Sequence, residues 1–139
     1  MSQITLLERL PTPQEYNDLR QAVGWRPHRE DVIEKGLANT LYCVCAFVDG
    51  VLIGMARVLG DGGLAYYIHD VIVIPAHQSQ GIGRQIMDQV MLYLHQHAAQ
   101  NVTIGLMAAP GKETFYEQYG FNRRPNHTMG AGMTMHWKG

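Results

Sequence analysis

The chain has 139 residues, 46% of them hydrophobic and 17% charged, the make-up of one domain spanning residues 1–139. Eleven Lys and Arg against twelve Asp and Glu give a formal charge of −1, which argues against a nucleic-acid partner. No apolar run approaches the roughly 20 residues that span a bilayer, and Met1 to Leu10 shows no basic-then-apolar leader. The expectation is a cytoplasmic protein with no membrane partner.

Ile4 to Leu7 reads as a short strand. Thr12-Pro13-Gln14-Glu15 opens a helix, with Thr12 as cap, proline in the first turn and Glu15 three residues on. That helix runs through Tyr16, Leu19 and Val23 to Gly24. Trp25-Arg-Pro-His28 interrupts the chain, and a second helix covers Glu30 to Leu37, stopping near Gly36 or Asn39. Leu41 to Val48 and Val51 to Leu59 read as strands joined by a tight Asp49-Gly50 turn. Cys43 and Cys45 share one face of the first of these, poorly placed for a disulfide and without the further ligands a metal would need; they read as packing residues.

Asp61-Gly62-Gly63 turns into a strand over Leu64 to Ile74, whose continuous Val71-Ile-Val-Ile74 run predicts burial on both faces. A helix follows, in which Ile82, Ile86, Val90 and Leu94 recur every fourth residue and Met87 and Met91 widen the stripe. Val102 to Met107 reads as a strand and Glu113 to Tyr119 as a helix stopped by Gly120. Phe121 and Met133 to Trp137 read as terminal strands. The order β-α-α-β-β-β-α-β-α-β-β predicts a mixed sheet with helices on both faces.

The stretch that carries chemistry is Val71-Ile-Val-Ile-Pro-Ala-His-Gln-Ser-Gln-Gly-Ile-Gly-Arg84. A strand runs through a glycine turn into a long helix, so unpaired amides and the positive end of the helix dipole converge on one point. Gly81 and Gly83 clear side chains from an approaching anion. A nucleoside-triphosphate loop would need Gly-Lys-Ser/Thr, and a dinucleotide site a third glycine and a later acidic residue; both are missing. Read by itself, Gly-x-Gly fits either a phosphate cradle or a tight turn that needs glycine.

Gln78-Ser-Gln-Gly81-Ile-Gly83 after Val71-Ile-Val-Ile-Pro75 resembles motif A of the GNAT family of N-acetyltransferases. Phe115-Tyr116-Glu-Gln-Tyr-Gly120-Phe121 looks like motif B, one helix and one strand later, as in that family. The two motifs and the strands leading into them span residues 41–122. The resemblance implies an α/β fold with a mixed, mostly antiparallel sheet of six to seven strands and four flanking helices, splayed between strands four and five. It implies acetyl-CoA as co-substrate without a metal, and a small-molecule amine as partner, with a homodimer as an allowed assembly.

By the same resemblance the pyrophosphate sits on the amides of Gln78, Ser79, Gln80, Gly81, Ile82, Gly83 and Arg84. The pantetheine arm pairs with the backbone of Val71, Ile72 and Val73, whose strand also polarises the thioester carbonyl. Tyr116 matches the tyrosine near the sulfur, where a phenol can protonate the leaving thiolate; packing, as for Phe115, is the plainer role. Tyr67, His69 and Asp70 are candidates for the base that takes the amine proton. Alternation puts Tyr67 and His69 on one face and Asp70 on the other unless the strand bulges. The motif B asparagine is replaced by Ala109, and a common motif A glycine by Ser79, itself a good helix-start residue.

Trp25 to His28 and Arg123 to Met133 lie where this family builds its acceptor pocket. The first, with Leu37 to Thr40, loosely resembles plastid-type arylalkylamine (serotonin) acetyltransferases. Arg123 and Arg124 fit either a solvated pair or an attraction for an acidic acceptor. His95 and His97, two apart on a helix, do not share a face and read as solvent-facing. A non-catalytic acyl-CoA-binding module and a protein or peptide amine acetyltransferase are the alternative functions.

Overall fold

The computed structural model describes residues 3–139. Its elements are strand β1 (Ile4–Glu8), helices α1 (Pro13–Ala22) and α2 (Glu30–Ala38), and strands β2 (Tyr42–Val48), β3 (Val51–Gly60) and β4 (Ala65–Val73). A short 3₁₀ turn (Pro75–His77) leads to helix α3 (Ile82–His97), strand β5 (Thr103–Leu106) and helix α4 (Glu113–Glu117). The strands stand in the order β1-β2-β3-β4-β5, and the β1–β2, β2–β3 and β3–β4 pairs are antiparallel.

Local chemistry explains most boundaries. Thr12 Oγ1 accepts from Glu15 N–H at 3.1 Å while Glu15 Oε1 accepts from Thr12 N–H at 2.9 Å, the reciprocal box expected of that tetrad. Asp49 and Gly50 both take positive φ, 51° and 77°, the conformation a two-residue hairpin turn requires. Asp61 Oδ1 accepts from the amides of Gly63, Leu64 and Ala65 and shapes the next turn.

The sheet is covered on both faces. Cys43, Cys45, Phe47, Leu52, Met55 and Ile72 pack in one cluster with Tyr16 and Leu19 of α1 and Ile33 and Leu37 of α2. Both cysteines are free and buried, as their strand pattern suggests. On the opposite face, Tyr42 stacks on Tyr93 of α3 at 4.7 Å. A Cβ at Gly54 would lie 3.1 Å from Ile86 Cδ1 and 2.9 Å from Ile72 O, so glycine there lets α3 lie close to the strand. The stripe Ile82, Ile86, Met87, Val90 and Leu94 is buried.

Three expectations need correction. Among the described residues the sheet has five strands, not six to seven, because Phe121 and Met133 to Trp137 form no strand. Gly120 turns the chain at φ 94°. Residues 123–130 are then tied by side-chain bonds to backbone, Arg124 Nε to Gly130 O at 2.6 Å and Asn126 Nδ2 to Arg123 O at 2.8 Å. Burial on both faces of Val71 to Ile74 also fails: Ile72 is buried and its neighbours are half-buried. Last, α4 stops at Glu117 rather than reaching Tyr119. By its contacts the chain divides into two compact units, one ending at Ile104 and the other Gly105–Gly139.

Candidate active site

The β3–β4 ladder loses register between Met55 and Arg57: Met55 faces Ile72, but Arg57 faces His69. Between those two pairs β3 has one residue, Ala56, and β4 has two, Asp70 and Val71, and the extra residue lies at Asp70, whose φ is 55°. The bulge brings Asp70 to the face that carries Tyr67 and His69. Simple alternation would have put it on the other side.

There Asp70 meets the helices. Its Oδ2 accepts from Arg57 Nε and from Tyr16 Oη, each at 2.7 Å, and His69 Nδ1 lies 3.3 Å away. Arg20 Nη1 stands 3.6 Å from Oδ1, an atom that makes no hydrogen bond. The Asp70 side chain is 1% exposed. Burial pushes its pKa up, but the hydrogen bonds and charges of His69, Tyr16 and Arg57 outweigh this and hold it well below the usual carboxylate range. Burial, followed by the charge of Asp70, pushes the Tyr16 phenol up to about 12.

Arg57 continues the network, with Nη1 donating to Thr40 Oγ1 at 3.2 Å and Nη2 lying 3.0 Å from His69 Nδ1. His69 is the exposed end of this chain, with 42% of its side chain accessible. Its ring tilts against Tyr67 at 5.8 Å.

A cavity of about 150 Å³ opens here, lined by Val32, Ile33, Gly36 and Leu37 on one side and by Tyr16, His28, Arg57 and His69 on the other. The loop after α1 is pinned beside it. Asn17 bonds both the N–H and the C=O of His28, at 2.9 and 2.8 Å, and Arg20 Nε donates to Arg26 O at 2.7 Å. Burial and then the Arg20 charge push the His28 pKa down. Trp25, 37% exposed, lies against the Arg20 guanidinium, 5.4 Å from its ring centre.

Past β4 the chain enters the glycine loop. Ile74 N–H bonds Ile53 O at 2.9 Å, so ladder alternation turns the N–H and C=O of Val73 away from β3. The Val73 carbonyl accepts from Gln78 Nε2 at 2.8 Å, so this side chain closes the loop onto the strand. Ser79 and Gly81 take φ 64° and 79°, and a Cβ at Gly81 would meet nothing within 4 Å. The first α3 bond runs from Gln85 N–H to Gly81 O at 3.1 Å, placing the amides of Ile82, Gly83 and Arg84 ahead of the ladder. No side chain caps this end and no acidic residue occupies its first turn. Open space, glycine backbone and leading amides suit an anionic phosphate group.

In the second unit, Tyr116 is 8% exposed, with its ring edge-on to Phe115 at 5.1 Å and to Phe121 at 6.4 Å. Burial pushes its phenol up to about 12. Arg123 pairs with Glu117 at 2.8 Å. His95 and His97 are exposed, the latter stacked on Tyr93 at 4.2 Å.

Tyr16, Arg20, Thr40 and Arg57 were not among the residues that sequence patterning brings forward. One signal was present: an arginine inside the apolar run Leu52 to Val58 needs a buried counter-charge, and Asp70 is the nearest strand carboxylate.

Comparison with known proteins agrees with this architecture. A profile described as "Acetyltransferase (GNAT) domain" matches residues 17–136. The chain belongs to the GNAT acetyltransferase family. It is 32% identical to a probable acetyltransferase of unknown function from meticillin-resistant Staphylococcus aureus, with a TM-score of 0.89 over 97% of this chain and 100% of the other. An uncharacterized N-acetyltransferase of Prochlorococcus marinus is 34% identical over 117 residues, 80% of this chain and 63% of the relative's length. Serotonin N-acetyltransferase 2, chloroplastic, from Oryza sativa subsp. japonica is 28% identical over 118 residues, 82% of this chain and 58% of the relative. The family implies acetyl-CoA as the acetyl donor. No helix among the described residues is long and apolar enough to cross a membrane.

Proposed function

We propose that this protein transfers the acetyl group of acetyl-CoA to a primary amine of a small molecule that enters the cavity between α2 and the β3–β4 strands. The observation that carries this reading is that one strand, β4, supplies His69 to that cavity and runs directly into the Gly81 loop at the start of α3. Val32, Ile33 and Leu37 suit an apolar amine body, while Arg57, Tyr16 and the two histidines suit its polar end. A cavity near 150 Å³ matches a ligand about the size of a benzene ring. The likeness to a serotonin acetyltransferase points the same way.

In the reaction the amine nitrogen attacks the thioester carbon, the carbon–sulfur bond breaks, and the amine gives up one proton. Residues 78–84 hold the pyrophosphate and the Val71–Val73 backbone takes the pantetheine arm. Tyr116 returns a proton to the sulfur.

Of the β4 candidates for the base, Asp70 is the least suited, since its Oδ2 already accepts two short hydrogen bonds and it stays ionised. His69 is the better one. To receive a proton at Nε2 it must carry its own on Nδ1, which Asp70 Oδ2 at 3.3 Å can accept; Arg57 Nη2 at 3.0 Å favours the other tautomer. Asp70 is a positioning residue that competes with Arg57 at Nδ1, and His69 is a base only in the tautomer that Asp70 holds, with Tyr67 and water as the other routes. The test is a panel of alkyl, arylalkyl and polyamine acceptors with acetyl-CoA, reading thiol release. Turnover with arylalkylamines supports the reading, and release that no amine accelerates would favour the acyl-CoA-binding alternative.

A further inference from the structure

The polar wall of the cavity holds no acid. Among the described residues its lining carries one guanidinium, Arg57, and two imidazoles, His28 and His69. The nearby carboxylate, Asp70, is 1% exposed and is not part of that lining. Two guanidiniums answer its single charge, Arg57 at 2.7 Å and Arg20 at 3.6 Å, so this cluster keeps a positive excess. An anion entering the cavity meets a counter-charge, and an ammonium does not. The same excess favours the neutral, nucleophilic form of an amine.

Arg57 also has donors to offer. A guanidinium carries five N–H groups. Nε serves Asp70, Nη1 serves Thr40, and Nη2 lies beside His69 Nδ1. Those contacts leave N–H capacity on a residue that lines the cavity, and its planar fork matches a carboxylate.

The apolar wall has a gap. Gly36 follows Ile33 by three residues and Val32 by four, so all three share one face of α2, and all three line the cavity. Gly36 is helical, and a Cβ there would meet nothing within 4 Å. Neither the backbone nor a close contact asks for glycine at this point, and glycine weakens a helix relative to alanine. What it leaves is room on the cavity side.

We propose that the acceptor is an α-amino acid with an apolar side chain: its carboxylate bonds Arg57, its α-amine lies at His69, and its side chain fills the space over Gly36. This rests on the reading that the cavity receives the acceptor of acetyl transfer. Arg57 Nη2 and His69 Nδ1 are 3.0 Å apart, so two groups borne on a single carbon reach both residues. In the transfer the α-nitrogen bonds the acetyl carbon and the carbon–sulfur bond breaks. The proton lost by nitrogen balances the one gained by sulfur, and the products are an N-acetylamino acid and the free thiol.

The test pairs each amine with its amino acid, phenethylamine with phenylalanine and isopentylamine with leucine, and reads thiol release from acetyl-CoA. In the wild type, kcat/KM should be about tenfold or more higher for the amino acid of each pair. Arg57→Lys keeps the charge and loses the fork, so the ratio of amino acid to amine should fall about tenfold. Gly36→Val leaves the Arg57–Asp70 group intact and should lower kcat/KM for phenylalanine relative to alanine about tenfold. Where Arg57→Lys does not fold, the wild-type pairs and Gly36→Val decide. An amine used as well as its amino acid overturns this proposal alone, as does unchanged selectivity in Gly36→Val. Thiol release that neither class accelerates overturns the acetyl-transfer reading with it.

Discussion

Arg57 and Asp70 meet at 2.7 Å in the interior of the sheet, thirteen residues apart in sequence and on neighbouring strands. The pair is complete only as a group, because Tyr16 from α1 donates to the same carboxylate oxygen. Removing one partner leaves a buried charge without compensation, so Arg57→Met should cost about 3–5 kcal/mol of stability. The double variant Arg57→Met/Asp70→Leu should recover a large part of that loss. Urea unfolding of the three proteins checks this; equal losses in single and double variants would contradict it.

The same carboxylate sets acid stability. Its folded pKa lies below the unfolded value near 3.9, so the unfolded chain takes up its proton first as pH falls. The stabilisation is complete at neutral pH and is lost progressively below about pH 4, as the folded pKa is approached. Asp70→Asn should be less stable at pH 7 and flatter in its acid dependence than the wild type. Thermal melts from pH 7 downward give the comparison.

Acetyl-CoA should stabilise the native protein by about 2.7 kcal/mol at a hundredfold excess over its dissociation constant, with no shift from ATP or NAD. Gly81→Val should abolish that shift. Valine at φ 79° is strained by about 1–2 kcal/mol, and its side chain enters the space a phosphate needs. Calorimetric binding unaffected by the substitution would reduce the loop to a structural turn.

Tyr116→Phe should lower kcat by about 10²–10⁴-fold with little change in acetyl-CoA affinity, since ring packing against Phe115 and Phe121 is retained. The raised phenol pKa of about 12 places loss of its proton well above pH 10. The wild-type rate should therefore show no alkaline limb from this group below that pH. Because a raised pKa favours the protonated fold, the associated stability is whole below pH 10 and is lost as pH rises through about 12.

The acid limb of kcat/KM distinguishes the β4 residues. His69→Gln should remove it, whereas Asp70→Asn should lower the plateau, because nothing then holds the Nδ1 proton of His69 against Arg57. Other charged or titratable groups around the ring, namely Tyr16, Arg20, His28, Arg57 and Tyr67, are present in both variants. A limb unmoved in both would leave water as the proton acceptor.

What the sequence determined by itself is local. The Thr12–Glu15 box, the Asp49-Gly50 turn and the Ile82–Leu94 stripe each follow from residues within a few positions of one another, and all three stand in the structure. Motifs A and B are also contiguous strings, which is why they were enough to point to the family.

Tertiary structure decided the rest. Whether Asp70 joins Tyr67 and His69 depends on one inserted residue in the β3–β4 ladder, and a bulge leaves no mark in an alternating apolar pattern. The partners Tyr16, Arg20 and Arg57 come from other elements, so no spacing reports them. The cavity exists because Asn17 and Arg20 tie the loop after α1 beside α2. Strand-like alternation at Met133 to Trp137 is a local preference, but a strand exists only where a neighbour supplies N–H and C=O groups. The chain provides no such neighbour for this segment among the described residues, so the alternation by itself makes no strand.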